Sequence, residues 1–462
     1  MEPLDLPFII ASCGGELRRE GRDGVVRRVC TDTRQVEPGD LFVALAGEQF
    51  DGHNFLGEAA ARGAVALLVD RARPAANGPE LPTVAVADTR LALGRLAAAY
   101  RRRFELEMVA VAGSNGKTTT KELLACLLGA RFATLASPAS FNNDIGVPHT
   151  LLRLEQSHQA AVLEIGTNHP GELAPLIRMT QPRIGVIVSI GREHLEFFGD
   201  LDGVAREEGT LAEMLPSAGR LFINGDAPKY ETIRERAHCP VVTAGFGAHN
   251  LWRVGAARMD GQGTVFEVAA PASALSGEYR VPLVGRHQAL NAVLAMAVAA
   301  ELGLDAAEIR AGLARCAPAR MRLQVYEAHG LKVVDDTYNA NADSMLAALA
   351  TLEELPCAGR RVAVLGDMEE LGAHAQAAHE EVGRRAAGSG LAALFAVGRW
   401  AKTTVQAARA AGLAQARDFD SLEAAEAAVR GFLKPGDAVL LKASRAARLE
   451  RLSERLRLCS TI

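Results

Sequence analysis

Apolar residues fall in short runs along the chain, separated by longer stretches of helical period. Up to about Asp88, GDLFVALAG (39–47) and AVALLVD (64–70) read as strands, because their apolar residues alternate or cluster. Between them HNFLGEAAARG (53–63) reads as a short helix closed by Gly63. TRLALGRLAAAYRRRF (89–104) has helical period and a basic end, as a connecting helix would. ELEMVAVAG (105–113) is a buried strand that runs into a glycine loop, and TTTKELLACLLGARF (118–132) continues as a helix. Strand-like runs return at AAVLEIG (160–166), RIGVIVSIG (183–191) and GRLFING (219–225), with helical stretches between. That alternation predicts a parallel sheet with helices on both faces. HQALNAVLAMAVAAELG (287–303) is apolar on most sides and predicts a largely buried helix. From about Pro318, LKVVDD (331–336), RRVAVLGD (360–367), LAALFAVG (391–398) and DAVLLKAS (437–444) alternate with Ala-rich helices, which predicts a second, separate α/β unit.

Composition adds limits. The chain has 462 residues, 49% of them hydrophobic, enough for several cores. The formal net charge is −4 with acids and bases mixed, which gives no sign of a nucleic-acid scaffold or a polybasic membrane arm. Cys13, Cys30, Cys126, Cys239, Cys316, Cys357 and Cys459 are scattered without a C-x-x-C pair. This argues for a reducing compartment and against a disulfide framework or structural zinc. MEPLDLPFIIAS carries acids where a signal peptide needs positive charge, and no apolar run reaches the roughly 18 residues of a membrane helix. The expectation is a soluble cytoplasmic protein, monomeric for want of a leftover apolar stripe.

Chemistry concentrates where strands end. VAGSNGKTTTKE (111–122) resembles the phosphate-loop pattern G-x-x-x-x-G-K-[ST], but Val111 stands where the first glycine belongs. The context is still right: a strand leads into Gly113-Ser114-Asn115-Gly116, and Lys117-Thr118 opens a helix. Backbone N–H groups and the helix end would hold phosphates, Lys117 the β- and γ-phosphates, and the Thr118 hydroxyl Mg2+. FNNDIGVP (141–148) offers Asn142 and Asn143 as substrate amides, or as plain turn residues. Glu164 in EIGTNHPGEL, and His194 with Glu196 in SIGREHLEFFG, follow apolar strands, where open α/β sheets bind ligands. GRHQALN places His287 and Asn291 one helical turn apart, and an asparagine amide can read an adenine edge. DDTYNAN (335–341) and LKAS (441–444) are dense polar clusters at strand ends, fit for an anionic substrate, and TDTR (31–34) and DGHNF (51–55) do the same in the first segment.

Together, and in this order, these motifs resemble the Mur ligase family of peptidoglycan synthesis over essentially the whole chain. The family loop is T-G-[ST]-x-G-K-T-T, which Ala112 to Thr119 match except at Ala112; its shorter glycine spacing accounts for Val111. DDTYNAN, FNNDIGVP, EIGTNHPGE, GDMEELG (366–372) and TDTR followed by PGDLFVAL are similar to the branch that joins D-alanyl-D-alanine to UDP-N-acetylmuramoyl-tripeptide. The resemblance implies three α/β domains: a small mixed N-terminal one (1–88) for the UDP substrate, a central phosphate-loop parallel-sheet domain (89–316), and a C-terminal Rossmann-like domain (317–462). It implies an ATP-dependent amide ligase working through an acyl phosphate, with Lys117, Glu164 and His194 catalytic. It further implies that Thr118 and Glu164 hold one magnesium ion and that His194 helps hold a second. Ala112 to Thr119, His287, Asn291, Arg322 and Asp336 would bind ATP. Thr33, Arg34, Asn142, Asn143, Tyr338, Asn339, Asn341, Lys442 and Ser444 would face the substrates.

One position departs from the family, whose A-K-x-E lysine often carries a carbamate beside the second magnesium. The matching stretch here is VAREEGTL (204–211), with Glu208 at the lysine position. Three readings stand: a surface acid on a helix, a carboxylate replacing the carbamate, or a one-turn offset that brings in Arg206. Two other functions compete. A folyl-polyglutamate synthetase-like ligase would lack the uridine-nucleotide domain, and a plain regulatory ATPase would have no use for the polar clusters at Glu164, His194 and Asp336.

Overall fold

A computed structural model describes residues 1–20, 24–47, 49–73 and 79–458; Cys459 lies outside them. The chain divides into two units: 1–110 with 132–167 and 172–184, and 111–131 with 168–171 and 185–462.

In the first unit a five-stranded sheet runs in the order Glu16–Arg19, Thr83–Val86, Ala66–Asp70, Asp40–Val43, Arg28–Cys30. The last four strands are parallel and the first is antiparallel to Thr83–Val86. Asp40–Val43 and Thr83–Val86 are buried throughout, as continuous apolar runs require. The connecting helix is Thr89–Arg101. Asp88 caps it by accepting from Leu91 N (2.9 Å), and it buries Leu93, Leu96, Ala97 and Tyr100 at helical spacing. Thr134–Ala136 and Ala160–Glu164 pair in parallel in the same unit.

In the second unit the phosphate-loop helix is Lys117–Leu128, and His287–Glu301 is buried on nearly every side, as its composition predicts. Arg220–Asn224, Val241–Gly245 and Trp252–Met259 are parallel neighbours. Thr264–Ala269 and Gly277–Val281 then add antiparallel pairs, which sequence reading missed. The burial of Trp252–Met259 is irregular and its register breaks between Val254 and Ala257, so no clean alternation marks it. The six-stranded sheet runs Gln324–Ala328, Leu331–Asp336, Ala438–Lys442, Arg361–Gly366, Ala393–Val397, Ala416–Phe419. Its last five strands are parallel, as expected; the first is an antiparallel hairpin partner that the doubly wound reading did not include. Successive strand residues feed opposite cores: Ala363 and Leu365 one, Val362 and Val364 the other, so helices cover both faces. Among the described residues no helix is long and apolar enough to cross a membrane, and the six cysteines are free thiols.

Candidate active site

Strand Glu107–Ala112 ends where Gly113 and Gly116 take φ of +116° and +84°. A Cβ on Gly113 would lie 2.8 Å from Ser189 O, and one on Gly116 2.7 Å from Asn291 Oδ1, so both glycines are required by close approach as well as by backbone. The loop is tied to residues 188–191. Val188 N donates to Ala112 O (3.0 Å), Ser114 N to Ser189 O (2.9 Å), Asn115 N to Ser189 Oγ (2.7 Å) and Gly191 N to Ser114 Oγ (2.8 Å). Those bonds fix the backbone course of the loop before any ligand arrives, and they occupy the N–H groups of Ser114 and Asn115.

Lys117, Thr118 and Thr119 open the helix. Lys117 Nζ donates to the Gly113 carbonyl and lies 3.6 Å from Glu193 Oε2. Thr118 is buried and its Oγ1 has no hydrogen-bond partner. Glu193 is buried too, with Oε1 unpartnered. Sequence reading paired His194 with Glu196, which is exposed; the inward acid is Glu193, and its only sequence signal is adjacency to His194. His194 Nδ1 bonds the Glu370 carboxylate, and its Nε2 lies 3.8 Å from Glu193.

Glu208 is not a surface acid. It ends helix Leu201–Glu208, is 1% exposed, and accepts from Gly113 N (2.7 Å), while its Oε1 is unpartnered. Burial pushes its carboxyl up to about 8, with Lys117 opposing and Glu193 adding to the rise. Arg206 lies two residues back on the same helix, where its carbonyl accepts from Arg236.

In the first unit, Glu164 ends strand Ala160–Glu164 and is buried. Its Oε1 accepts from Asn142 Nδ2 (2.8 Å) and its Oε2 has no partner. The two asparagines divide the roles assigned to them jointly. Asn142 steadies this carboxylate, whereas Asn143 Oδ1 accepts from Gly146 N (2.8 Å) and so makes the turn. Thr33 and Arg34 lie in the short helix Thr33–Gln35; Arg34 is exposed and paired with Asp32 at 2.7 Å.

His287 and Asn291 share one helix, and Asn291 is buried with Nδ2 donating to Gln288 (2.9 Å). A cleft beside them is lined by Thr119, Gln288, Cys316, Pro318 and Arg322, among others. Arg322 stacks its guanidinium over the Tyr338 ring at 4.2 Å. Lys442, expected to face a substrate, is instead 2% exposed, with Nζ on Asp336 Oδ2 (2.6 Å) and Asn339 O (3.0 Å). An ammonium buried at that depth is held because its partner carboxylate is buried with it. Ser444 likewise turns inward, donating to Ala340 O (3.2 Å) and accepting from Glu369 N (2.9 Å). Asn341 caps helix Ala342–Glu354 and also donates to Asn115 Oδ1 of the phosphate loop (3.0 Å). Asn339 has an exposed side chain.

Buried, unpartnered oxygens are what an oxygen-seeking dication such as Mg2+ needs: Thr118, Glu193 and Glu208 offer one each in the second unit, and Glu164 one in the first. Among the described residues no three His, Cys, Asp or Glu side chains gather as a closed metal cage. Mg2+ does not need one, since it keeps waters and takes phosphate oxygens.

Three family domains match in succession: the Mur ligase family catalytic domain over 25–101, the Mur ligase middle domain over 111–299, and the Mur ligase glutamate ligase domain over 321–445. The UDP-N-acetylmuramoyl-tripeptide–D-alanyl-D-alanine ligase of Escherichia coli is 39% identical over 83% of this chain and 84% of its own. The chain belongs to the Mur ligase family. Two solved Mur ligases agree along their length. MurF from Acinetobacter baumannii superposes with a TM-score of 0.90 at 32% identity, covering 99% of each chain. MurF from Thermotoga maritima, in complex with ADP, gives 0.81 at 28% identity over 94% of this chain and 97% of its own.

Proposed function

We propose that this Mur ligase joins D-alanyl-D-alanine to UDP-N-acetylmuramoyl-tripeptide at the expense of ATP, forming the peptide bond of the muramoyl-pentapeptide precursor. The observation that carries the mechanism is the rigid loop Gly113–Lys117 set beside buried oxygens with no partner of their own. A tripeptide carboxylate must approach an anionic γ-phosphate, and that repulsion is the main barrier. Lys117, already positioned on the loop, neutralises charge as the phosphoryl group passes to the carboxylate. The acyl phosphate so formed loses phosphate when the D-alanyl-D-alanine amine attacks its carbonyl. Thr118, Glu164, His194 and Glu208 would hold magnesium, which supplies further charge neutralisation at the phosphates. Asn142 orients Glu164; Arg322 lines the cleft that would take the base of ATP, and Asn291 bonds Gln288 of the same cleft. Thr33 and Arg34 take the uridine nucleotide. Domains 1–88, 89–316 and 317–462 divide the work into UDP-substrate, ATP and dipeptide handling. The enzyme acts as a cytoplasmic monomer.

Phosphate release from ATP, measured with UDP-muramoyl-tripeptide and D-alanyl-D-alanine singly and together, tests this. Release only with both is the expected result; release with neither would make the protein a plain ATPase.

A further inference from the structure

GDMEELG contributes no residue to the site assigned above, yet its Glu370 carboxylate bonds His194 Nδ1. Both partners have left-handed backbones, φ +60° for Glu370 and +48° for His194. Non-glycine residues keep that conformation only where their surroundings over-determine it. The loop around Glu370 is pinned residue by residue. Asp367 accepts from Arg399 N (2.8 Å) and Trp400 N (2.9 Å), Met368 N donates to His379 Nε2 (3.1 Å), and Glu369 N donates to Ser444 Oγ (2.9 Å). Glu370 O then accepts from Glu196 N (3.1 Å), and a Cβ on Gly372 would come within 3.1 Å of Glu196 Cα. His194 is fixed from its own side, its carbonyl accepting from Phe197 N (2.9 Å) and Phe198 N (3.0 Å). An ionised carboxylate only accepts, so a neutral His194 carries its proton on Nδ1 and its lone pair on Nε2, on the side of Glu193.

We propose that Glu370 is the positioning residue for His194: it fixes the Nδ1–H tautomer and presents the Nε2 lone pair toward the phosphate loop. The proposal builds on the reading of His194 as a magnesium-holding residue. On this reading the histidine is ready only while the GDMEELG loop is docked on it.

The test uses the full chain. Histidine 15N resonances, with His194 assigned by its loss in His194→Gln, report the tautomer at neutral pH. The wild type should show Nε2 unprotonated, Glu370→Ala a tautomer mixture, and Glu370→Gln the wild-type pattern, because its carbonyl still accepts. In the ligase assay, Glu370→Ala should raise the half-saturating magnesium concentration about 10–100-fold, with the KM for D-alanyl-D-alanine unchanged, and Glu370→Gln should restore it. A His194 tautomer indifferent to Glu370→Ala, or a doubly protonated ring in the wild type, overturns the proposal. If His194→Gln leaves the magnesium dependence unchanged, the magnesium reading of His194 fails instead, and the tautomer measurement alone decides the positioning role.

Discussion

Glu208 shows how much one side chain can carry. Its carboxylate is buried against Gly113 N, with one oxygen unpartnered and its proton affinity raised by burial. Glu208→Gln keeps the shape and removes the capacity to ionise when a cation or phosphate site forms beside it. We expect it to lower ligase turnover by about 10²–10³-fold, the scale of losing one charge-stabilising group, while wild-type activity stays independent of added bicarbonate. An undiminished Glu208→Gln enzyme would return the residue to a packing role. His287 gives a pH prediction. Burial lowers its imidazole to about 4, against an ordinary value near 6.5, with Asp336 opposing and Lys442 assisting. Between those values the unfolded chain binds a proton that the native state refuses. Stability from this group is therefore whole above about pH 6.5 and is lost as pH falls toward 4, by at most about 1.4 kcal/mol per pH unit. Urea denaturation of wild type and His287→Asn at pH 7 and pH 5 should show a smaller acid loss in the variant.

At the scale of elements, two capped helices separate stability from catalysis. Asp305 caps helix Ala306–Ala314 with a full capping box, as Asn341 does for Ala342–Glu354. Each should lose about 0.5–2 kcal/mol on replacement by Ala, read from denaturant midpoints. Asp305→Ala should leave turnover intact. Asn341→Ala should also lower it, because the same carboxamide reaches Asn115 in the phosphate loop. Equal activity losses in the two variants would show that helix stability alone sets turnover. The elements themselves were largely legible: the strand runs at 160–166, 219–225, 331–336 and 391–398 appear as Ala160–Glu164, Arg220–Asn224, Leu331–Asp336 and Ala393–Val397. Continuous apolar runs bounded by turn residues have few other ways to be buried. The antiparallel strands from Trp252 to Val281 were not legible, since a half-exposed surface sheet has neither a continuous apolar run nor an unbroken alternation.

At the scale of the whole molecule, Arg192 joins the segment after strand Ile184–Ile187 to the C-terminal sheet domain. Its guanidinium bonds Asp343 Oδ1 (2.6 Å) and Glu381 Oε2 (2.5 Å), and its backbone N–H donates to Asp343 Oδ2 (2.7 Å). Arg192→Ala removes both ion pairs and leaves the backbone link. Hydrogen exchange should then quicken at residues 367–374, the loop that bears Glu370, and kcat/KM for ATP should fall. Unchanged exchange there would mean that this clamp does not govern docking of the loop.

The order of apolar runs was enough to place the α/β strands, because strand burial admits few residue types, and the string of motifs from TDTR to DDTYNAN, by its resemblance to a known family, was enough to place a ligase and its phosphate loop. Tertiary structure alone decided which polar side chains turn inward and what they bond. Lys442 and Ser444 read as substrate contacts and turned inward, Asn142 and Asn143 parted, and Glu193 rather than Glu196 came to Lys117. Those assignments depend on partners tens to hundreds of residues away, and a polar side chain at a strand end has the same local pattern whether it meets a ligand or another side chain.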